Sequence, residues 1–294
     1  MLLAPMGSTL RVLRPAPNVL AFYDGRVPDT RLWSEAPNWL DDGAYALGIA
    51  SYAIVEGTEA LVYDTHISLT HARFIRRTLE EMGVRHLRVV LSHWHDDHVA
   101  GNEVFADCEI LANALTADIL REKRAKLESG DPPIRPLVLP NRTFSGEITL
   151  QVGVLPVTLR QMDIHSCDGT VALLPGGLLL AGDTLEDPIT YVDEPERLTI
   201  HLEGLAEMAH WPLSRILPNH GSAEVIAAGG YQPDLISATR RYVVRLISAR
   251  TDPGLAVRDL RAFVPEDFAS GAIGYFAPYE AVHRQNLAAV TEAS

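Results

Sequence analysis

One arrangement of residues occurs twice in this chain and limits the folds open to it. In the first half, ALVYDT (Ala60–Thr65) is a short apolar run ending in Asp-Thr. A helical stretch follows over Leu69–Met82, and LRVVLSH (Leu87–His93) is an apolar run ending in His. In the second half, GLLLAGDT (Gly177–Thr184) ends in Asp-Thr, Glu194–Trp211 reads as helical, and RILPNHG (Arg215–Gly221) closes on His220. Phe74, Ile75, Leu79 and Met82 recur at helical spacing. Short continuous apolar runs bounded by turn signals read as buried strands. Strands that alternate with helices place the helices outside sheets. A duplicated unit of this kind gathers four strand ends at a shared edge.

The remaining segments fit around that frame. Strand signal appears at Val19–Tyr23, before a loop that runs through Pro28, Pro37 and Trp39. Ala44–Val55 is an apolar, partly β-branched run. Ala112–Leu127 reads as a charged helix, broken by Asp131-Pro132-Pro133. After Arg142, FSGEITLQVG and LPVTLRQMD read as a meander of strands. From Ser222 the chain is mainly helical, over Pro233–Ala249, Leu255–Phe263 and Tyr279–Ala293. The expected organisation is a sandwich domain over residues 1–221 and a helical extension, 222–294, packed on its core.

Charge narrows the partners. With 25 basic and 38 acidic side chains the net charge is −13, which disfavours nucleic acid, since a phosphate backbone rewards clustered Lys and Arg. No run approaches the roughly 18 apolar residues of a membrane span. Two cysteines, Cys108 and Cys167, make no disulfide framework. The start, MLLAPMGSTLRVLRP, lacks the pattern of a secretory signal. The expectation is a cytoplasmic protein with a small-molecule substrate, no nucleic acid or membrane partner, and room for a homo-oligomer.

The chemistry concentrates in His93-Trp94-His95-Asp96-Asp97-His98, directly after an apolar strand. His93 and His95 are two apart, so an extended segment points them to one side. Asp97 and His98 are offset by the following turn and face a second position. One strand end thus supplies ligands to two ions a few ångströms apart, an arrangement that activates a shared water. Three further strand ends carry donors: His165 in DIHSCDGT, Asp183 and His220. Singly, His165 reads equally as a turn residue and Asp183 as a helix N-cap. Together they bring the set to five imidazoles and two carboxylates.

In chain order the set reads H-x-H-x-D-H, then His, Asp and His, and it resembles the metallo-β-lactamase superfamily from about Ala44 to Gly221. That resemblance implies a four-layer αββα sandwich, an α/β fold. It implies that His93, His95 and His165 bind a first divalent ion, that Asp97, His98 and His220 bind a second, and that Asp183 bridges them. Zn²⁺ suits such donors, and Fe or Mn also fits. Asp64 sits where relatives place an Asp that buttresses a ligand His. Relatives usually carry Gly two residues later; here it is His66, which predicts a different turn.

Within the family, the bridging Asp183 argues against β-lactam hydrolysis, because true β-lactamases generally have Cys or Ser there. His95 in place of Glu, the chain length, and the absence of long insertions or basic clusters disfavour flavodiiron and nuclease branches. The glyoxalase II, lactonase and small-ester group remains. It implies hydrolysis of a small carboxylic ester, lactone or thioester by a hydroxide held between two ions, with Asp97 and Asp183 as catalytic carboxylates. The alternatives are a small-substrate phosphodiesterase and a mononuclear-iron oxidoreductase of the persulfide dioxygenase type. Neither a glutathione-binding signature nor the lactonase Tyr spacing is present, since Tyr191 follows Asp183 by eight residues. Trp94 suits a pocket floor or the core beneath it. Tyr191, Tyr275 and Tyr279 suit a pocket wall or a helix interface. Asp96 reads as a solvated carboxylate, Cys167 as a small buried residue and His201 as a surface histidine. His66, His71, His86, His210 and His283 receive no role, and His283→Ala is expected to leave metal retention and turnover intact.

Overall fold

A computed structural model describes residues 2–25 and 30–292. Pro28 and Ala293, placed above in a loop and a helix, lie outside the described residues. Alternation along the strands sorts the core into two layers. In Glu59–Tyr63, Leu61 and Tyr63 face one way and Ala60 and Val62 the other. Ala60 and Val62 join Val89, Leu91, Ile110 and Ala112 beneath the helices Leu69–Glu81 and Ala114–Glu128, which contribute Ile75, Leu79 and Leu120. Leu61 and Tyr63 join Tyr52, Val90, Val157, Val171 and Leu179 between two sheets. That second layer continues under the helices Leu198–Met208, Asp234–Ala249 and Tyr279–Glu292. The result is helices, sheet, sheet, helices, as expected, with C-terminal helices packed onto the second sheet's side.

The larger sheet runs in the order Leu10–Ala16, Val19–Asp24, Ile49–Glu56, Glu59–Tyr63, His86–Val90, Glu109–Asn113, Arg142–Phe144. The smaller runs Glu147–Val152, Leu155–Gln161, Thr170–Leu174, Leu178–Gly182, Arg215–Pro218. The duplicated unit is visible as a pair of parallel neighbours in each sheet. Glu59–Tyr63 pairs with His86–Val90 across the Leu69–Glu81 helix, and Leu178–Gly182 pairs with Arg215–Pro218 across Leu198–Met208. At the edge where those strands end, the halves are joined by backbone hydrogen bonds. Thr170 N donates to Ser92 O (2.7 Å) and Ala50 N to Asn219 O (2.8 Å). The Tyr52 hydroxyl crosses the sandwich to Pro218 O at 2.5 Å, and the Tyr63 hydroxyl reaches Thr170 O.

Three local readings change. The apolar run from Ala44 divides into a short helix, Gly43–Leu47, and the strand Ile49–Glu56. The break falls at Gly48, whose φ is +145° and where a Cβ would come within 2.2 Å of the Tyr23 hydroxyl. Leu10–Ala16 is a strand that periodicity does not announce, because as an edge strand it carries Pro15 and leaves one face open. Leu255–Phe263 is two short helices, since Asp259 caps the second by accepting from Ala262 N at 2.7 Å. No helix among the described residues is long and apolar enough to cross a membrane.

The turn after Asp64 also departs from expectation. His66 keeps a left-handed backbone, φ +70°, at the position where relatives usually carry Gly. A side chain there costs roughly 1 kcal/mol or more. The ring is held by stacking on His71 (centroids 4.4 Å), and its Nδ1 accepts from Ile67 N at 2.9 Å. His71 is in turn paired with buried Asp24 at 2.8 Å.

Close packing of this turn makes Gly101 critical. A Cβ there would lie 2.1 Å from Thr65 O and 2.5 Å from Ala72 Cβ, both parts of the wall behind the HWHDDH segment. Gly101→Ala is therefore expected to lower stability by about 1–3 kcal/mol, the range for overpacking. A denaturant midpoint unchanged from wild type would show that the wall yields.

Candidate metal centre

Every donor picked out by the sequence arrives at the joined edge. His93 and His95 follow the end of His86–Val90, His95 on extended backbone. Asp97 and His98 then sit in the one-turn helix Asp96–Val99. His165 is the tip of a tight hairpin closed by the Ile164–Ser166 bridge and takes a left-handed φ of +68°. Asp183 follows the strand Leu178–Gly182, and His220 follows Arg215–Pro218. His93, Asp97, His98, His165, Asp183 and His220 are buried and His95 is half-buried.

The donors form two groups that share one carboxylate. In the first, His95 Nδ1 lies 2.9 Å from His93 Nε2 and 3.0 Å from His165 Nε2. Asp183 Oδ2 is 3.6 and 3.7 Å from the last two nitrogens. In the second, Asp97 Oδ2 lies 3.1 Å from His98 Nε2 and 3.2 Å from His220 Nε2. The same Asp183 Oδ2 is 3.1 and 3.6 Å from those nitrogens. Donors bonded to one tetrahedral ion at ~2.0–2.1 Å stand roughly 3.3 Å apart, so both groups have the spacing that an ion requires. Asp183 Oδ1 is buried without a hydrogen-bond partner.

The far side of each imidazole is also fixed. His98 Nδ1 lies 2.9 Å from Asp64 Oδ2 and His93 Nδ1 2.8 Å from Ser92 Oγ. His95 Nε2 lies 2.9 Å from Asp193, His165 Nδ1 3.1 Å from Tyr191 O, and His220 Nδ1 3.1 Å from Gly48 O. Oxygen partners at one ring nitrogen set the tautomer and direct the other lone pair inward, as metal-binding histidines require. Asp64 stands where the resemblance puts it. Asn219, which the sequence reading passed over, donates to its Oδ2 at 2.7 Å.

Electrostatics separates the groups. Burial, then the surrounding imidazoles, holds His93 well below the usual histidine range and lowers His165 to about 4. His93 and His165 therefore offer neutral imidazoles with free lone pairs, whereas His95, against whose burial Asp193 prevails, is raised above its usual value. Burial also opposes charge on His98 and His220, but the carboxylates around them win, raising His98 well above its usual value and His220 to about 9. Asp183 is lowered to about 2, its burial outweighed by His98 and His220. Without a cation these carboxylates must be balanced by protons on their neighbours; a bound ion releases those protons.

His95, Asp97, His165, Asp183 and His220 line a cavity of about 260 Å³, walled by Trp39, Tyr45, Trp94, Tyr191 and the buried Glu186 and rimmed by Asp42, Asp96 and Asp193, with Lys126 also in its lining. Trp94 serves both roles foreseen for it, lining the cavity while packing on the core under Lys123 Nζ, 4.5 Å from its ring. Tyr191 is a wall; Tyr279 is buried behind Glu186, its hydroxyl 3.5 Å from Oε2. Tyr275 stacks against Arg261 and takes no part in the cavity. Asp96 is half-buried on the rim and not a fully solvated carboxylate, and Cys167 is half-buried. His201 is buried, not on the surface: its helix face turns toward Asp163, 3.9 Å away. His283 is likewise buried, between the Tyr242 hydroxyl and Arg258 O, so its replacement by Ala removes buried hydrogen bonds away from the metal centre. Tyr45, Glu186 and Asp193 escaped the sequence reading. Only Glu186, three residues after Asp183, carried a positional hint.

Comparison with known proteins agrees with this geometry. The model of the metallo-beta-lactamase superfamily matches residues 44–254. A metallo-beta-lactamase from Pontibacter korlensis superposes with a TM-score of 0.59 at 16% identity, covering 80% of this chain and 99% of that one. VMB-1 gives 0.58 at 17%, with 80% and 96% covered. DIM-1 metallo-beta-lactamase exposed to ceftazidime gives 0.56 at 19%, with 79% and 94% covered. At such identities these likenesses speak to the fold. No curated protein matches the chain.

Asp64 offers a test of the architecture around the donors. Asp64→Ala strips His98 and Asn219 of their acceptor and is expected to weaken metal retention about 10–100-fold. His86→Ala, at an exposed strand start, is expected to change nothing. Metal analysis after dialysis against a competing chelator measures both.

Proposed function

Because the chain belongs to the metallo-β-lactamase superfamily, with a metallo-hydrolase fold, we propose that it is a dinuclear-metal-dependent hydrolase of a small carboxylic ester, lactone or thioester. The observation that carries this reading is Asp183 Oδ2, within 3.7 Å of imidazole donors in both groups at once. His93, His95 and His165 would hold one ion, Asp97, His98 and His220 the other, and Asp183 would join them. Two divalent ions, with Zn²⁺ the best match and Fe or Mn compatible, would supply Lewis acidity and a water acidic near neutral pH. Asp97 and Asp183 are the donor carboxylates that open onto the cavity. There they can orient a nucleophile and hold its proton. Trp39, Tyr45, Trp94 and Tyr191 give the cavity an apolar wall that orients a substrate's organic part and excludes water.

The rivals fit less well. A mononuclear oxidoreductase leaves the second group, four buried donors, without purpose, and uncompensated buried charge is costly. A phosphodiesterase must bring its anion past Asp42, Asp96 and Asp193, whose field opposes it. The neighbours named as β-lactamases share only the fold at 16–19% identity, and Asp183 stands where β-lactamases generally have Cys or Ser.

Protein purified without chelator is expected to carry close to two transition-metal ions per chain. Asp183→Ala should lose most of that metal and at least 10³-fold in kcat/KM. One ion at most, with His98 and His220 dispensable, would overturn the dinuclear reading.

Substrate class is checked on one metal-replete preparation with lactones, thioesters, aryl esters and phosphodiesters. A carbonyl substrate is expected to be best. A phosphodiester ahead of all of them by more than about a hundredfold, roughly 2.7 kcal/mol of transition-state preference, would transfer the assignment.

A further inference from the structure

A second cavity, of about 490 Å³, lies on the other side of Trp39 from the metal centre. That is the size of a site for a drug-sized ligand. Its inner wall is apolar: Leu32, Ile67 and Ile134 are buried there, with Met6, Ala100 and Pro136 completing it. Its roof is pinned. Trp33 Nε1 donates to Asp131 Oδ1 at 2.6 Å and Trp39 Nε1 to Pro132 O at 2.9 Å, tying both indoles to the proline-rich 131–136 loop. The space is thus held open by hydrogen bonds at its rim.

The charge at the mouth is of the opposite kind to that at the metal centre. Arg73 and Arg135 line it, both exposed, and neither guanidinium has an ion pair or hydrogen bond among the described residues. Among the described residues the one acidic lining residue is Glu103. Ser68, the N-cap of the 13-residue helix Leu69–Glu81, and its first residues Leu69 and Thr70 also line the cavity, and the first turn of that helix carries no acid. A helix N-terminus and two free guanidiniums favour an anion, while the walls favour hydrocarbon.

We propose that this cavity binds a small amphipathic carboxylate, with its alkyl or aryl part among Leu32, Ile67 and Ile134 and its carboxylate at Arg73 and Arg135. Trp39 separates this ligand from the catalytic cavity, and its ring packs edge-on against Tyr45 (6.0 Å), which faces His220 (5.7 Å). The site is distinct from the metal centre and does not depend on it.

The experiment is calorimetric titration with octanoate, 1-octanol and acetate, on the protein before and after chelation. Octanoate should bind saturably in both states and acetate in neither. Ile134→Trp, which fills the cavity, should weaken octanoate at least tenfold. The double variant Arg73→Gln/Arg135→Gln, confined to exposed side chains and so independent of core packing, should weaken octanoate at least threefold and leave 1-octanol unchanged. Octanoate binding that disappears on chelation, or is matched by acetate, or survives both variants, would overturn the proposal. Binding that persists in protein found to hold no metal would leave this site standing while the hydrolase reading falls.

Discussion

The edge of the sandwich is organised around one buried carboxylate. Asp64, fully buried and held left-handed at φ +67°, accepts from Ser92 N at 2.6 Å and Asn219 Nδ2 at 2.7 Å and lies 2.9 Å from His98 Nδ1. Its own N–H donates to Val90 O. A buried carboxylate is tolerated only when donors replace the water it has lost. Here those donors come from both copies of the repeated unit: Ser92 and His98 from the first, Asn219 from the second. The interaction that satisfies Asp64 therefore also fixes where His98 and His220 stand relative to each other. The strained backbone at Asp64, His66 and His165 concentrates at this edge, where the surrounding hydrogen bonds can hold it.

The C-terminal helices belong to the site as much as the sandwich does. Asn286, in the last helix, donates to Thr190 O at 3.0 Å and accepts from Val192 N at 2.9 Å. Gln285 accepts from the Tyr191 hydroxyl at 2.7 Å, and Tyr279 backs Glu186. The loop that delivers Glu186, Tyr191 and Asp193 to the cavity is thus shaped from the far end of the chain. The cis Asp187–Pro188 bond lies in the same loop.

The layered architecture was legible because fully buried strands such as Ala60–Tyr63 cannot be written without a continuous apolar run, and because the run recurs with the same polar terminator. The seven donors were legible for a related reason: imidazoles and carboxylates at the ends of apolar strands have few purposes other than chemistry. What escaped were residues whose role is set by a partner distant in sequence. Asp193 reads as a loop acid until it is seen 2.9 Å from His95 Nε2. Trp39 reads as a loop aromatic and Tyr45 as part of an apolar run until the N-terminal segment is laid across the site. His201 read as a surface residue and His283 as one without a role because burying a polar ring depends on groups such as Asp163 or Tyr242, which no local pattern reveals. The edge strand Leu10–Ala16 was hidden for the converse reason, having only one face to bury.

Trp39 has a consequence beyond its contacts. The cavity on one side is lined by Asp42, Asp96 and Asp193 with Lys126, and that on the other by Arg73 and Arg135 with Glu103. A single indole therefore marks a reversal of electrical polarity between adjoining cavities. In low-dielectric clefts such fields are focused and not averaged away. By Coulomb's law such an arrangement favours the approach of cations to the acidic mouth and of anions to the basic one before any specific contact is made. That preference weakens as ionic strength rises and the Debye length shrinks.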